Sequence, residues 1–377
     1  MDLTEEYLDS VNELFPYLIL KYYENINTCL TLPIENDKRE YVVFQNIDLL
    51  ENNYNNNNII QLNKEDVYVV LSNIYNHHFY HTLQEFIVDL EIYLLFFKKY
   101  KIICFDYDYN SDYFKLAREY FSILDENILV INRDNRNIYN GNFLYLHLYP
   151  KYKDNYNLII NNIPHLFNKY KFIQSRKYLK CYNNLSYKDS KWINKDERII
   201  INKFIEEAYK KYGNDKTIQL YDRIWISRRN LNIHTYKHKR FIKNINDIVP
   251  ILEKNNFTEL FFEDDLYDIF KQIYIINNAS IIFTEMGTAF CNINFMKPNT
   301  KFITTNYHEI PCLAEIVNNI CDYNNVNFYI YNDIETDTEN EYYLLAKECV
   351  ICPNLPIKIT DINNFNLWFD NTINNNN

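Results

Sequence analysis

Two arginines, a glycine and a glutamate fall where strands should end. The run Ile281-Ile282-Phe283-Thr284 reads as a buried strand, and it leads through Glu285 and Met286 into Gly287, one of 3 glycines in the 377 residues. A strand passing into a helix start over Thr288, Ala289 and Asn292 would aim backbone N–H groups at an anion. The outline is that of a diphosphate site, and equally that of a tight turn that needs glycine and binds nothing. Trp225-Ile226-Ser227-Arg228-Arg229 ends a second strand in a hydroxyl and two guanidiniums, whose forks match phosphate oxygens in pairs. The following His234, Lys237, His238, Lys239 and Arg240 also suit a solvated basic loop. In Tyr80-His81-Thr82-Leu83-Gln84-Glu85, His81 and Glu85 stand one helical turn apart, so the carboxylate could fix the tautomer of an imidazole base. Ile102-Ile103-Cys104-Phe105-Asp106-Tyr107-Asp108 runs an apolar strand into an Asp-x-Asp, a pattern that can hold Mn²⁺ or Mg²⁺ on a diphosphate.

These residues need elements to hold them. From Val67 the pattern predicts strand 67–71, helix 81–100, strand 101–105, helix 113–124 and strand 128–131, an alternation that argues for parallel βαβ units. Before it lie a helical N-terminal segment and the polar loop Glu51 to Asn58. The stretch from Leu144 to Asn194 is aromatic and basic without clear period, and the domain junction is placed near its end, giving domains 1–194 and 195–377. The second half predicts helix 195–211, strand 223–227, helix 246–254, strand 259–262, helix 266–277, strand 280–284, a short helix from Thr288, strand 301–305 and a helical tail. The fold class expected is α/β, with two Rossmann-like domains facing a cleft and ligands at the carboxyl ends of the parallel strands.

Taken in order, the motifs resemble glycosyltransferase family 61. Tyr80, His81 and Glu85 match a tyrosine-histidine pair and glutamate of its N-terminal half; Ile226 to Arg229 match its isoleucine-serine-arginine-arginine strand end. Phe262-Glu263-Asp264 and Gln272 match an acidic segment before a helix. Gly287, Thr288, Ala289 and Asn292 match the final turn, with Asn294 to Pro298 trailing it. The collinear order is the specific part, and it spans Val67 to Thr305. The resemblance implies a GT-B-like fold and inverting, metal-independent transfer from a nucleotide sugar, UDP-linked in many members, to a glycan or protein acceptor. It makes Ser227, Arg228, Arg229, Glu263, Gly287, Thr288, Ala289 and Asn292 donor-binding residues, with Tyr80, Glu85 and Gln272 in support. Met286 stands where many members carry a histidine, whereas Glu285 fits the bacterial-type variants, so His81 and Glu285 are both candidate bases. Two rival readings are a metal-dependent GT-A transferase using Asp106 and Asp108, and a non-catalytic nucleotide- or carbohydrate-binding protein of the same fold.

Composition excludes more than it assigns. Net charge is -11, which argues against a nucleic-acid coat or an anionic-membrane binder. The start carries no signal-peptide pattern, and no apolar run reaches the roughly 18–20 residues of a membrane span, so a cytoplasmic enzyme is expected. The 8 cysteines, including Cys349 and Cys352 as an isolated CxxC, predict buried thiols rather than zinc. No cofactor or metal is expected, and homo-oligomers are open. The Asn, Ile, Tyr and Lys enrichment matches an AT-rich genome, as in some large DNA viruses, and carries no function.

Overall fold

The computed structural model describes residues 3, 7–8, 18–29, 32–33, 40–41, 45–46, 59–71, 86–131, 138–148, 198–229, 241–261, 268–285, 287–306, 311–336 and 356–374. They divide into two compact units that change over between Ile200 and Ile201.

The first unit contains strands β1 (Leu18–Cys29), β2 (Leu32–Pro33), β3 (Glu40–Tyr41), β4 (Gln45–Asn46), β5 (Ile59–Gln61), β6 (Val67–Val70), β7 (Lys101–Phe105), β8 (Ile128–Ile131) and β9 (Ile138–Leu148). Its helices are α1 (Ile87–Ile92), which runs on as a π turn over Tyr93–Phe97, α2 (Asp106–Asn110) and α3 (Asp112–Phe121). The main sheet has the order β4-β1-β9-β6-β7-β8, with β5 also on β9. β6, β7 and β8 are parallel, as the βαβ pattern requires. Val69, Ile102 and Cys104 are fully enclosed on one sheet face, and Tyr68, Val70, Ile103, Phe105, Ile131 and Phe143 form a cluster on the other. Runs apolar on both faces are what a covered parallel sheet demands. Ser111 caps α3 by accepting from the Phe114 N–H at 3.2 Å.

The N-terminal segment corrects the sequence expectation. Leu18–Cys29 is not helical but a 12-residue strand, paired antiparallel with β9 with a bulge between Tyr23 and Ile26. Leu, Ile and Tyr at neighbouring positions satisfy either period, and the partner strand that decides for β lies more than 100 residues away.

The second unit contains α4 (Ile199–Tyr212, its start in the first unit), β10 (Arg223–Ile226), α5 (Ile245–Lys254), β11 (Thr258–Leu260), α6 (Ile269–Asn278), β12 (Ile281–Thr284), a 3₁₀ helix over Thr288–Phe295, β13 (Lys301–Thr305), α7 (Pro311–Asn324), β14 (Asn327–Tyr331), the hairpin β15 (Ile334–Thr336) with β16 (Ile357–Ile359), and α8 (Ile362–Asn374). The five-stranded sheet is wholly parallel, in the order β11-β10-β12-β13-β14. From β10 the chain first moves outward to β11, then returns to the other side of β10 to lay down β12, β13 and β14. The reversal places the topological switch point between β10 and β12, and ligands of doubly wound sheets gather at the carboxyl ends beside such a point.

One face of this sheet is closed by α8. Phe365 and Phe369 pack on Phe283 with ring centroids 6.4 and 5.7 Å apart, Phe369 reaches Phe257, and Phe365 reaches Tyr331. Both α8 phenylalanines are fully buried, each contributing about 1.5–3 kcal/mol by area alone. Lys301 Nζ donates to the carbonyls of Thr372 and Ile373, satisfying the last turn of α8. At the end of α4 Gly213 donates its N–H to the Tyr209 carbonyl at 2.7 Å, and a Cβ on Gly213 would lie 2.5 Å from that oxygen. Only a bare backbone passes there.

Candidate functional site

The two strongest sequence motifs meet at the switch point. β10 ends at Ile226, the register partner of Thr284 at the end of β12, so Ser227-Arg228-Arg229 and Glu285 to Gly287 leave adjacent strands side by side. The strand ends are laced together: Thr284 Oγ1 donates to the Ile226 carbonyl at 3.1 Å, Thr304 Oγ1 to the Thr284 carbonyl at 2.8 Å, and the Ser227 N–H to the Leu260 carbonyl at 3.0 Å. These bonds satisfy buried hydroxyls and carbonyls where the ladder runs out.

Arg228 lies over Gly287. A Cβ at Gly287 would stand 2.8 Å from Arg228 Nη1, 3.1 Å from Cζ and 3.2 Å from Nη2. Backbone geometry at Gly287 is extended, with φ 174°, which any residue adopts. Glycine is therefore used for the close approach of a guanidinium rather than for a special turn. The 3₁₀ helix starts immediately after, at Thr288, so the half-buried guanidinium and the first N–H groups of that helix share one place.

The adjacent arginine does something different. Arg229 Nε donates to Glu259 Oε1 at 2.8 Å and Nη2 donates to Glu259 Oε2, a bidentate pair that raises the Arg229 pKa above its ordinary value. Its guanidinium carbon also lies 5.1 Å from the centroid of the Trp225 ring. The Arg229 N–H donates to Ser227 Oγ at 3.2 Å, fixing the turn between the arginines.

Glu285 is 2% exposed. Burial pushes its carboxyl pKa up to about 7; Arg228 and the Trp225 indole draw it down without cancelling that, and Glu259 adds to the rise. Neither Trp225 Nε1 nor Glu285 Oε2 completes a hydrogen bond. Glu285 thus changes charge near neutral pH, beside Arg228.

Behind the turn, α6 holds the 3₁₀ helix at two points. Gln272 Nε2 donates to Asn292 Oδ1 at 2.6 Å, Asn292 Nδ2 donates to the Ala289 carbonyl at 2.8 Å, and Asn277 Nδ2 donates to the Phe295 carbonyl at 2.6 Å. α6 itself is started by Asp268, which accepts from the Phe270 and Lys271 N–H groups. Gln272 and Asn292, 7% and 0% exposed, frame the turn from within. Cys291 beside them is fully buried, which raises its thiol pKa well above the usual value.

The structure so brings together Ser227, Arg228, Arg229, Glu285, Gly287, Ala289, Asn292 and Gln272, and the backbone of Thr288. Tyr80, His81, Glu85, Glu263 and Met286 lie outside the described residues, as do Cys349 and Cys352. Asp106 and Asp108 open α2 directly after β7. Among the described residues no three His, Cys, Asp or Glu side chains group as metal ligands would, and no helix is long and apolar enough to cross a membrane. Glu259 escaped the sequence reading: its partner is 30 residues away, and only the adjacency of β10 and β11 makes them meet.

The chain is an α/β protein whose parallel sheet carries the Arg228 guanidinium over Gly287 at its switch point. The chain belongs to the glycosyltransferase 61 family, whose model matches residues 61–303, more than half of the sequence. No curated protein matches it.

Proposed function

We propose that the chain transfers a sugar from a nucleotide-sugar donor, UDP-linked by preference, to a glycan or protein acceptor, with inversion and without a metal, between two Rossmann-like domains arranged as in GT-B enzymes. The observation that carries the reading is the Arg228 guanidinium held over Gly287 at the switch point. There the donor diphosphate would take charge-assisted bonds from Arg228 and N–H groups from the 3₁₀ start. As the anomeric carbon–oxygen bond breaks, the leaving diphosphate keeps the electron pair, and these donors stabilise the charge that grows on it. The acceptor hydroxyl gives its proton to a base as its oxygen attacks the anomeric carbon.

Glu285 and His81 are the candidates for that base. A pKa of about 7 suits Glu285 to the task, since an effective base titrates near the working pH. Its burial requires that acceptor docking uncover the carboxyl. Domain 1–194 would supply the acceptor side and domain 195–377 the donor side, with Glu263 at the nucleoside.

The test is a transfer assay in EDTA with UDP-, GDP- and CMP-sugars and mixed oligosaccharide and peptide acceptors, on the wild type, Arg228→Ala, Glu285→Gln and His81→Ala. Turnover in EDTA, lost in Arg228→Ala and in one of the two base variants, supports the reading. Turnover only with Mn²⁺ and unaffected by Arg228→Ala contradicts it, and nucleotide binding without turnover of any acceptor would make the chain a binding protein.

A further inference from the structure

The paired arginines invite the view that both grip the diphosphate, yet their surroundings divide the work. Glu259 is the β11 register partner of Trp225 in β10, so the two side chains rise together from one face of the sheet. Arg229 closes over both, its fork on the Glu259 carboxylate and its plane within cation–π range of the indole. Its own N–H holds the Ser227 hydroxyl, and the Ser227 N–H is tied to β11 through the Leu260 carbonyl. The three residues after β10 are thus fastened on the side of β11, with Arg228 between the fastened positions and its guanidinium thrown to the opposite side, over Gly287 next to β12.

We infer that Glu259 is a positioning residue: by engaging Arg229 it sets the turn that delivers Arg228 to the diphosphate, and Arg229 is an anchor rather than a ligand of the donor. This deepens the donor-site reading and rests on it. Charge makes the inference sharp. Removing the Glu259 carboxylate adds one net positive charge to an anion site, which by Coulomb attraction alone would tighten binding. If Glu259 acts by position, the affinity falls instead.

The experiment titrates the full chain with UDP at pH 7.5 in EDTA, with the thermal midpoint of each unliganded variant as a folding control. Glu259→Gln and Arg229→Ala are each expected to weaken UDP binding about 5- to 10-fold, and the double variant no further than either alone, because the pair acts as one unit. Arg229→Lys keeps the charge and loses the fork, so it should behave like Arg229→Ala. A second readout is one that mere loss of stability would not move: Glu259 helps hold the Glu285 pKa up, so in Glu259→Gln the pH midpoint of UDP-sugar binding should shift downward. UDP binding unchanged or tighter in Glu259→Gln, with binding still lost in Arg228→Ala, overturns the positioning role and leaves the donor site standing. A wild type that binds no UDP, GDP or CMP overturns the donor site and this inference with it.

Discussion

Gly287→Ala separates function from folding. The added Cβ would sit 2.8 Å from Arg228 Nη1 and 3.1 Å from Cζ, against an ordinary contact of about 3.4 Å or more. The guanidinium must therefore retreat by roughly half an ångström or more, and because it ends a long, half-buried side chain it can do so without disturbing the sheet. With φ at 174° the backbone accepts alanine, and a compatible Gly→Ala change tends to add about 0.4–1 kcal/mol by restricting the unfolded chain. The thermal midpoint should then stay level or rise slightly. Binding should suffer, because losing one charge-assisted hydrogen bond costs about 1.5–3 kcal/mol, roughly 10- to 150-fold in affinity. Calorimetric or fluorescence titration with UDP, beside a melting curve of the free protein, reads both quantities. Nucleotide affinity equal to that of the wild type would refute the reasoning, since the bare backbone would then not be serving Arg228.

Four further outcomes are expected. The folded-state pKa of Glu285, about 7, lies above its ordinary 4.5, so the native state holds the proton more tightly; stability is full below about pH 4.5 and falls as pH rises through 7, by about 3 kcal/mol for so buried a group. Glu285→Gln should match the wild type at pH 4.5 and melt higher at pH 8, and equal midpoints at pH 8 would count against it. UDP-sugar affinity should also decline across pH 6–8 in the wild type, because the donor's charge is constant while Glu285 becomes an anion beside Arg228, and a flat profile would show that Glu285 does not sense the site. Gln272→Leu leaves the buried Asn292 oxygen without its donor and should cost about 1–3 kcal/mol in denaturant unfolding, with weakened UDP binding as the 3₁₀ helix loosens; loss of stability alone would restrict Gln272 to the core. Phe369→Ala, which opens the α8 layer against Phe283 and Phe257, should cost about 3–5 kcal/mol by the same measurement.

Much of the second unit was legible in the sequence because each of its elements carries its own local signal. Ile281 to Thr284 is a buried run closed by a polar residue and a rare glycine, and Lys301–Thr305 was placed to the residue. What could not be read was order. That β12 lies beside β10 while β11 lies on the other side follows from chain crossovers, not from any residue in those strands, and that order is what lays Arg228 over Gly287. The split between Arg228 and Arg229 was hidden for the same reason: two adjacent arginines look alike until Glu259 arrives from the next strand. β14 went unread because Asn327–Tyr331 mixes aromatics with polar residues at a sheet edge, where burial is partial. The long pairing of β1 with β9 failed to show because neither strand repeats cleanly, and each finds its pattern only against the other.

The most direct measurement is a thermal-shift series of wild type and Arg228→Ala against UDP, GDP and CMP, each in EDTA and in Mn²⁺. Ligand at 100 times its Kd adds about 2.7 kcal/mol to the folded state, enough to move the midpoint visibly. The account expects one nucleotide to raise the wild-type midpoint in EDTA and to leave Arg228→Ala unmoved. No shift with any nucleotide, or a shift that needs Mn²⁺ and persists in Arg228→Ala, would contradict it.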